Sequence, residues 1–231
     1  IRDFCLSRGL GDVYKRQDVT IVKKGGVTEG STSGASGANE VVLASDSMYI
    51  ASDSAPVNAS TELNQAWGNL AIGKHTLESV TTASRNIAIG NCSLKSLTTG
   101  YFEEWNTSGA NIAIGEYCLE NSVTGFGNIG LGYETLKDNI EGSENTALGY
   151  RSLWKSTGNR NTAVGYSSLR YSIESNDNVA VGYNALFNGD SGYIGGSVNG
   201  SYNTAVGSKT MLYNSRGNYN TALGYKALYN I

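Results

Sequence analysis

Proline, histidine and long apolar runs are nearly absent from this chain of 231 residues. It contains one Pro and one His, and no stretch of 18 apolar residues that could cross a membrane as a helix. Charged residues make up only 16%, and the formal net charge of -3 with a pI near 5.2 provides no basic stripe. Such a surface does not attract nucleic acid or anionic lipid. We therefore expect neither nucleic-acid binding nor membrane insertion.

The scarcity of cysteine and histidine also limits the chemistry. Cys92 and Cys118 fall at different positions of successive repeats, so their side chains are expected to point differently and to remain free thiols rather than form a disulfide. His75 has no Cys or His at ligand spacing, so a solvated corner residue is expected and no metal site is predicted. No Ser-His-Asp set can be assembled. We expect no catalytic residue, no cofactor and no enzymatic activity.

What the chain has instead is glycine, tyrosine and an internal repeat. It contains 30 Gly and 15 Tyr, and the hexapeptide NTALGY occurs twice, at residues 145–150 and 220–225. The underlying pattern is Asn-x-small-aliphatic-Gly, with nine copies that start at Asn69, Asn86, Asn111, Asn128, Asn145, Asn161, Asn178, Asn203 and Asn220. The steps are 17, 25, 17, 17, 16, 17, 25 and 17 residues. Units this short exclude helical hairpins and propeller blades and predict an all-β, parallel β-solenoid with 16–17-residue coils.

The pattern within one repeat, numbered from its Asn as position zero, predicts two sides to the coil. Positions one and three are mostly β-branched or aliphatic, so we expect them to face a thin core. Positions zero, two and four then form an outward stripe of Asn, Ala and Gly, which either lets another backbone approach in a parallel homotrimer or eases a tight coil. Position eight is Leu or Met, which predicts a second short strand with one large side chain inward.

Glycine marks both corners of the coil. Position four is Gly in all nine repeats, where the chain is expected to leave its strand at a backbone angle that Gly adopts freely. A second corner is expected at Gly100, Gly125, Gly142, Gly158, Gly192 and Gly217, with Ala83 and Ser175 in its place in two coils. Nine coils at the strand spacing of about 4.8 Å make a rod on the order of 40 Å long.

Two side-chain ladders are expected along this rod. Position five is Tyr in five repeats, at Tyr133, Tyr150, Tyr166, Tyr183 and Tyr225. These outward rings would either stack on sugars or shield the turn and stiffen the rod. The Asn ladder at position zero is expected to be structural, with amides that bond the turn backbone and one another. The turns lack the regular Asp of calcium-binding rolls, and Thr at position one is expected on the core face, which argues against an ice-binding surface.

The two 25-residue steps identify the candidate binding site. Their extra residues follow the second-corner glycine in both cases, as YFEEWNTS at 101–108 and YIGGSVNG at 193–200. Insertions in a solenoid collect on one face because loops vary there without disturbing the core. Aromatic and acidic side chains suit a sugar ligand, so the candidate ligand-binding residues are Tyr101, Phe102, Glu103, Glu104, Trp105 and Tyr193. A tolerated bulge or a subunit contact is the alternative.

The first 66 residues differ from the repeat array. Residues 5–17, CLSRGLGDVYKRQ, resemble translated read-through of a sequencing adapter, so residues 1–17 are expected to be an artefactual leader. Residues 18–66 contain a Gly/Ser/Thr-rich link and VVLASDSMYIASDS, which predicts two short strands leading irregularly into the rod. Trp67 would cover the open end of a solenoid that spans 67–231.

The repeats resemble two known families. NIAIGNCSL, NTALGYRSL and NTAVGYSSL are similar to the head repeats of trimeric autotransporter adhesins of the YadA type, and closer to the NTALGYxAL arrays of phage tail fibres. The resemblance covers residues 69–231. It implies a left-handed, usually trimeric β-roll that forms an attachment surface, in a virion tail fibre or, alternatively, a bacterial surface adhesin. A depolymerising tailspike is a third reading, but Glu103 and Glu104 are adjacent and are expected to be solvated.

Overall fold

A computed structural model describes residues 20–23, 40–44, 47–51, 68–98, 109–187, 200–214 and 217–230. The described chain is all-β and contains no α-helix. Twelve strands form one sheet in sequence order, β1 to β12. Their bounds are Thr20–Lys23, Glu40–Ala44, Ser47–Ala51, Leu70–Ile72, Ile87–Ile89, Ile112–Ile114, Ile129–Leu131, Thr146–Leu148, Thr162–Val164, Val179–Val181, Thr204–Val206 and Thr221–Leu223.

The pairing confirms the predicted β-solenoid. From β3 onward every neighbouring pair is parallel, and equivalent positions of successive coils stand in register, as Thr146 does on Thr162 and Ala147 on Ala163. The two strands predicted within residues 41–54 are β2 and β3, which pair antiparallel as a hairpin, while β1 pairs parallel with β2. The nine strands β4 to β12 start one residue after the nine repeat Asn residues.

Two separate physical reasons require glycine at position four. Its φ lies between 117° and 137° in all nine coils, a region that side-chain-bearing residues rarely adopt. A Cβ on Gly149 would also lie 2.6 Å from the carbonyl oxygen of Gly165 in the next coil. The last such residue, Gly224, has nothing within 4 Å of its added Cβ because no described coil follows it. The predicted corner is therefore confirmed, and coil stacking explains why no other residue fits.

The second side of the coil is not a strand, contrary to the sequence prediction. In each coil, positions six and eight have positive φ, as Arg151 (53°) and Leu153 (51°) do, and turns replace strand geometry. Neighbouring coils still pair there, since Leu153 N–H donates to Ser168 O at 3.0 Å and Ser167 N–H to Tyr150 O at 2.9 Å. An inward Leu at position eight is confirmed, because Leu153 is fully buried. The alternation of large and small residues predicts which side chains point inward, but it does not predict the sign of the backbone φ angle.

The predicted inside and outside of β4 to β12 are reversed. The position-two residue is buried in every coil, and the larger side chains at positions one and three face out, with Ile114 36% and Leu148 45% exposed. The core therefore packs small strand residues against the large inward residue at position eight of the turn side. A coil this narrow has no room for two large layers. The small stripe is consequently interior, and it cannot be the surface that another chain approaches.

The Asn ladder is structural, as expected. Each Asn from Asn86 onward donates its backbone N–H and its side-chain Nδ2 to Oδ1 of the preceding Asn; for Asn145 these distances are 3.0 and 3.1 Å. Its Nδ2 also donates to the second-corner carbonyl of Gly158 at 2.9 Å. Asn145 is fully buried, so every polar atom of its amide must find such a partner. A second, partly exposed ladder that the sequence analysis missed joins Ser143, Asn159 and Asn176 through backbone N–H donors.

Candidate functional site

The predicted loop site lies outside the described residues. This applies to residues 101–108, including Tyr101, Phe102, Glu103, Glu104 and Trp105, and to Tyr193. Trp67, which was expected to cover the end of the rod, also lies outside the described residues. The corner of the second long coil differs from the prediction, because Asn178 Nδ2 donates to the carbonyl of Gly200 at 2.9 Å, the bond made to the corner glycine in other coils. Gly200 therefore occupies the corner assigned to Gly192, and the extra residues precede it.

The tyrosine ladder at position five stacks on the outside of the rod. Ring centroids are 5.4 Å apart from Tyr133 to Tyr150, 5.0 Å from Tyr150 to Tyr166 and 5.4 Å from Tyr166 to Tyr183, with interplanar angles of 10°, 8° and 18°. Tyr183 is about half exposed. The fifth member, Tyr225, is two coils further on, since the intervening position is Ser208. Four rings thus form one continuous outward stack, whose faces are largely covered by one another.

A second outward feature is the strip at positions one and three of β4 to β12, here called the aliphatic strip. Position three is Ile, Leu or Val throughout, while position one changes from Leu and Ile to Thr in four later coils. The Thr residues at position one therefore face solvent. The prediction that they lie on the core face is wrong, so it no longer argues against ice binding. Every coil nevertheless contributes an aliphatic side chain to the strip at position three, which favours burial against another apolar surface.

On the turn side, Trp154 lies at the centre of a cluster of cations and rings. Lys155 Nζ is 4.9 Å from its ring centroid, and the guanidinium carbons of Arg170 and Arg151 are 5.0 and 5.5 Å away. Tyr171 meets Trp154 edge-on at 5.8 Å and continues to the next ring in the following coil at 5.5 Å. We call Trp154, Lys155, Arg170 and Tyr171 the Trp154 cluster.

The charges beside this cluster are unevenly paired. Arg151 Nε donates to Glu134 Oε2 at 2.5 Å, and Lys137 bridges Glu134 at 3.2 Å and Glu120 at 3.4 Å. Desolvation of Glu134 acts to raise its pKa, but hydrogen bonds from Arg151 and Lys137 outweigh it and hold that pKa below its ordinary value. Arg151 is thus neutralised by its partner.

A shallow groove of about 540 Å³ runs along the rod next to the Trp154 cluster. One wall is the polar row at position ten and the other is the mainly apolar row at position twelve. The lining residues are Ser96, Asn121, Asp138 and Lys155 on the first wall, and Val123, Ile140, Thr157 and Ile173 on the second. Asn121 Nδ2 donates to Asp138 Oδ1 at 2.8 Å, and Ile140 is 45% exposed. Lys155 belongs to both the groove and the cluster.

The remaining chemistry-bearing residues have local roles. Cys92 and Cys118 are free, as expected, and both are buried; burial raises the pKa of the Cys118 thiol to about 12. His75 is not simply solvated, because its Nδ1 lies 3.2 Å from Glu78 Oε1. Within the described ranges, no group of three or more His, Cys, Asp or Glu side chains is arranged to hold a metal ion. The described residues likewise include no helix long and apolar enough to cross a membrane.

The fold and these surfaces define a parallel β-solenoid with an outward aliphatic strip on one side and a groove on the other. No family model matches the chain, and no curated protein and no solved structure matches it significantly.

Proposed function

We propose that this chain is a non-enzymatic structural and adhesive segment of a phage tail fibre, which presents a repeated surface and loops for host attachment. The observation that supports this proposal best is the in-register stacking of nine coils, which repeats equivalent outward positions along the rod. A rod of this kind holds binding groups at a distance from its base, and each coil is stabilised mainly by its two neighbours. A head domain of a bacterial surface adhesin uses the same physical principle and is the alternative.

The aliphatic strip supports self-association into a parallel homotrimer. Two outward side chains per strand over nine strands give a largely apolar footprint of roughly 300 Å² per chain, comparable with the largest patch on a typical monomer, which is often functional. Identical chains placed side by side would bring equivalent coils level, so that Leu148 and Val164 meet their own copies. This assembly uses the face opposite to the one that the sequence pattern suggested. Three chains rather than two is what the resemblance to trimeric fibres implies.

Sedimentation of the purified protein tests the assembly. The parent should sediment as a trimer, and Val164→Asp should convert it to a folded monomer because three buried carboxylates would face one another without partners. Tyr166→Ser, which removes an equally outward side chain from the neighbouring turn, is the matched control and should remain trimeric. A parent protein that is a folded monomer at all concentrations would overturn the assembly.

Adhesion is tested by deleting residues 101–108, which restores a coil of 17 residues. The shortened protein should melt within a few degrees of the parent, since the stacked core is unchanged, and should lose binding to those glycans of an array that the loop recognises. Unchanged array binding would assign attachment to another surface of the rod. A carbohydrate-cleaving tailspike would instead release reducing ends from bound polysaccharide, which the proposed function excludes.

A further inference from the structure

We propose that the groove beside the Trp154 cluster binds an anionic polysaccharide, with the acidic group of a sugar held by Lys155 and Arg170. This inference rests on the proposed attachment function and specifies a ligand class for it. It places binding on a face that the sequence analysis did not single out.

The first support is the charge balance. Arg151 and Lys137 have carboxylate partners, whereas no ion pair within the described part of the chain involves Lys155 or Arg170. Both cations are instead held against Trp154, at 4.9 and 5.0 Å from its ring centroid. Rings fix the position of a cationic head without neutralising it, so these two groups retain their charge for a ligand.

The second support is the chemistry of the groove walls. A pyranose ring has apolar faces and a hydroxyl-bearing edge, and the groove offers Ile140 and Ile173 on one wall with Asn121 and Lys155 on the other. Because the lining residues belong to successive coils at a spacing of about 4.8 Å, the groove follows the long axis of the rod and suits a polymer.

The third support is a pair of unsatisfied donors. Trp154 Nε1 and Arg170 Nε are shielded from solvent, and neither has a hydrogen-bond acceptor among the described residues. Both groups can only donate, and leaving such donors unpaired is costly. A carboxylate or sulfate beside Arg170 would supply acceptors after a small rotation of the side chains. Asp138 lies at the same position one coil before Lys155, so the acidic group is expected on the Trp154 side of Lys155 and not beside Asp138.

Three polymers separate the ligand classes in a binding titration with the intact chain. Alginate carries a carboxylate on every sugar, dextran carries none, and polyglutamate carries carboxylates without sugars. Alginate should bind, and dextran and polyglutamate should bind at least about tenfold more weakly, since the site needs both charge and a ring to pack on its apolar wall. Equal binding of polyglutamate would show a general attraction between opposite charges and overturn the proposal, as would no binding of alginate.

Paired variants locate the site. Lys155→Gln with Arg170→Gln should weaken alginate binding at least about tenfold, while the melting temperature confirms folding. The matched control, Lys95→Gln with Arg160→Gln, removes the same charge from cations that already pair with Glu78 and Asp177 outside the cluster, and it should bind alginate like the parent. Equal losses in both variants would overturn the site. A trimer that fails to bind alginate contradicts this inference alone, and a monomer that binds it contradicts only the proposed fibre assembly.

Discussion

Cys118 and Gly130 occupy one small space in the core, one from the turn side of a coil and the other from the strand of the next. A Cβ on residue 130 would lie 2.6 Å from Cys118 Sγ, well inside van der Waals contact. Gly130 is the one glycine at position two, where the eight other coils have Ala. Position seven carries Ser, Thr or Ala in every coil except that of Cys118, with side chains that leave room for a methyl group in the next coil. The two departures from the repeat therefore compensate each other.

This compensation predicts a non-additive double-mutant cycle. Gly130→Ala alone should lower the free energy of unfolding by about 1–3 kcal/mol, because it overpacks the site against the sulfur. In a Cys118→Ala background the same change should be neutral or stabilising, as the pair then matches Ala185 and Ala205, which stand at the same positions of two later, successive coils. Chemical denaturation of the four proteins measures the coupling. Additive effects would show that the sulfur does not limit the space at position 130.

A comparison of two equivalent glycines should separate steric from conformational cost. Gly149→Ala and Gly224→Ala both place Ala at a positive φ, 128° and 117°, which costs of order 1–3 kcal/mol. Only at Gly149 does the new Cβ also meet the next coil's carbonyl oxygen, at 2.6 Å. Gly149→Ala should therefore lower the melting temperature much more than Gly224→Ala. Similar shifts would indicate that the backbone angle alone requires glycine.

Substitutions on the inner and outer faces of the coil should differ strongly in their effect on stability. Leu153→Asp places an unpaired charge in the core and should destabilise the rod by several kcal/mol, while Tyr150→Ser, on the outside, should change stability by less than about 1 kcal/mol. Ala163→Leu is equally informative: Ala163 is fully buried, so the larger side chain should unfold its coil instead of weakening association. Thermal melts and sedimentation, measured together, check all three. Equal melting temperatures for Leu153→Asp and Tyr150→Ser would contradict the assigned faces.

The Cys118 thiol should make stability fall at alkaline pH. Burial raises its pKa from 9.0 to about 12, so above pH 9 the unfolded chain loses a proton that the folded chain retains. Its contribution is complete below pH 9 and is lost as the pH rises toward 12, by about 2 kcal/mol at pH 10.5. Denaturation at pH 8.5 and 10.5 should show a smaller loss for Cys118→Ala than for the parent. An identical pH dependence of the two proteins would contradict the raised pKa.

Several residues of the candidate surfaces could be assigned from sequence because they repeat at fixed spacing. The inward Leu153, the outward Tyr150 and the structural Asn145 follow from their recurrence in successive coils, since stacked coils place equal positions above one another. The Trp154 cluster was missed, although position nine carries Glu120, Lys137, Trp154 and Arg170 in consecutive coils. A comparison of the residues at position nine across successive coils would have indicated the cluster. The groove could not be predicted in this way, because its depth depends on how the side chains at position ten and position twelve are placed relative to each other.

By itself, the sequence determined the architecture: a repeat near 17 residues, a glycine at every first corner and a structural ladder of Asn. These features follow from contacts between equivalent positions, so periodicity alone specifies them. Only the tertiary structure decided which face of each strand is interior. Alternation separates positions one and three from position two, but the choice between the faces depends on the volume supplied from the opposite side of the coil. Leu153 and its equivalents fill that side, which leaves space for Ala and directs the larger Leu148 and Val164 outward.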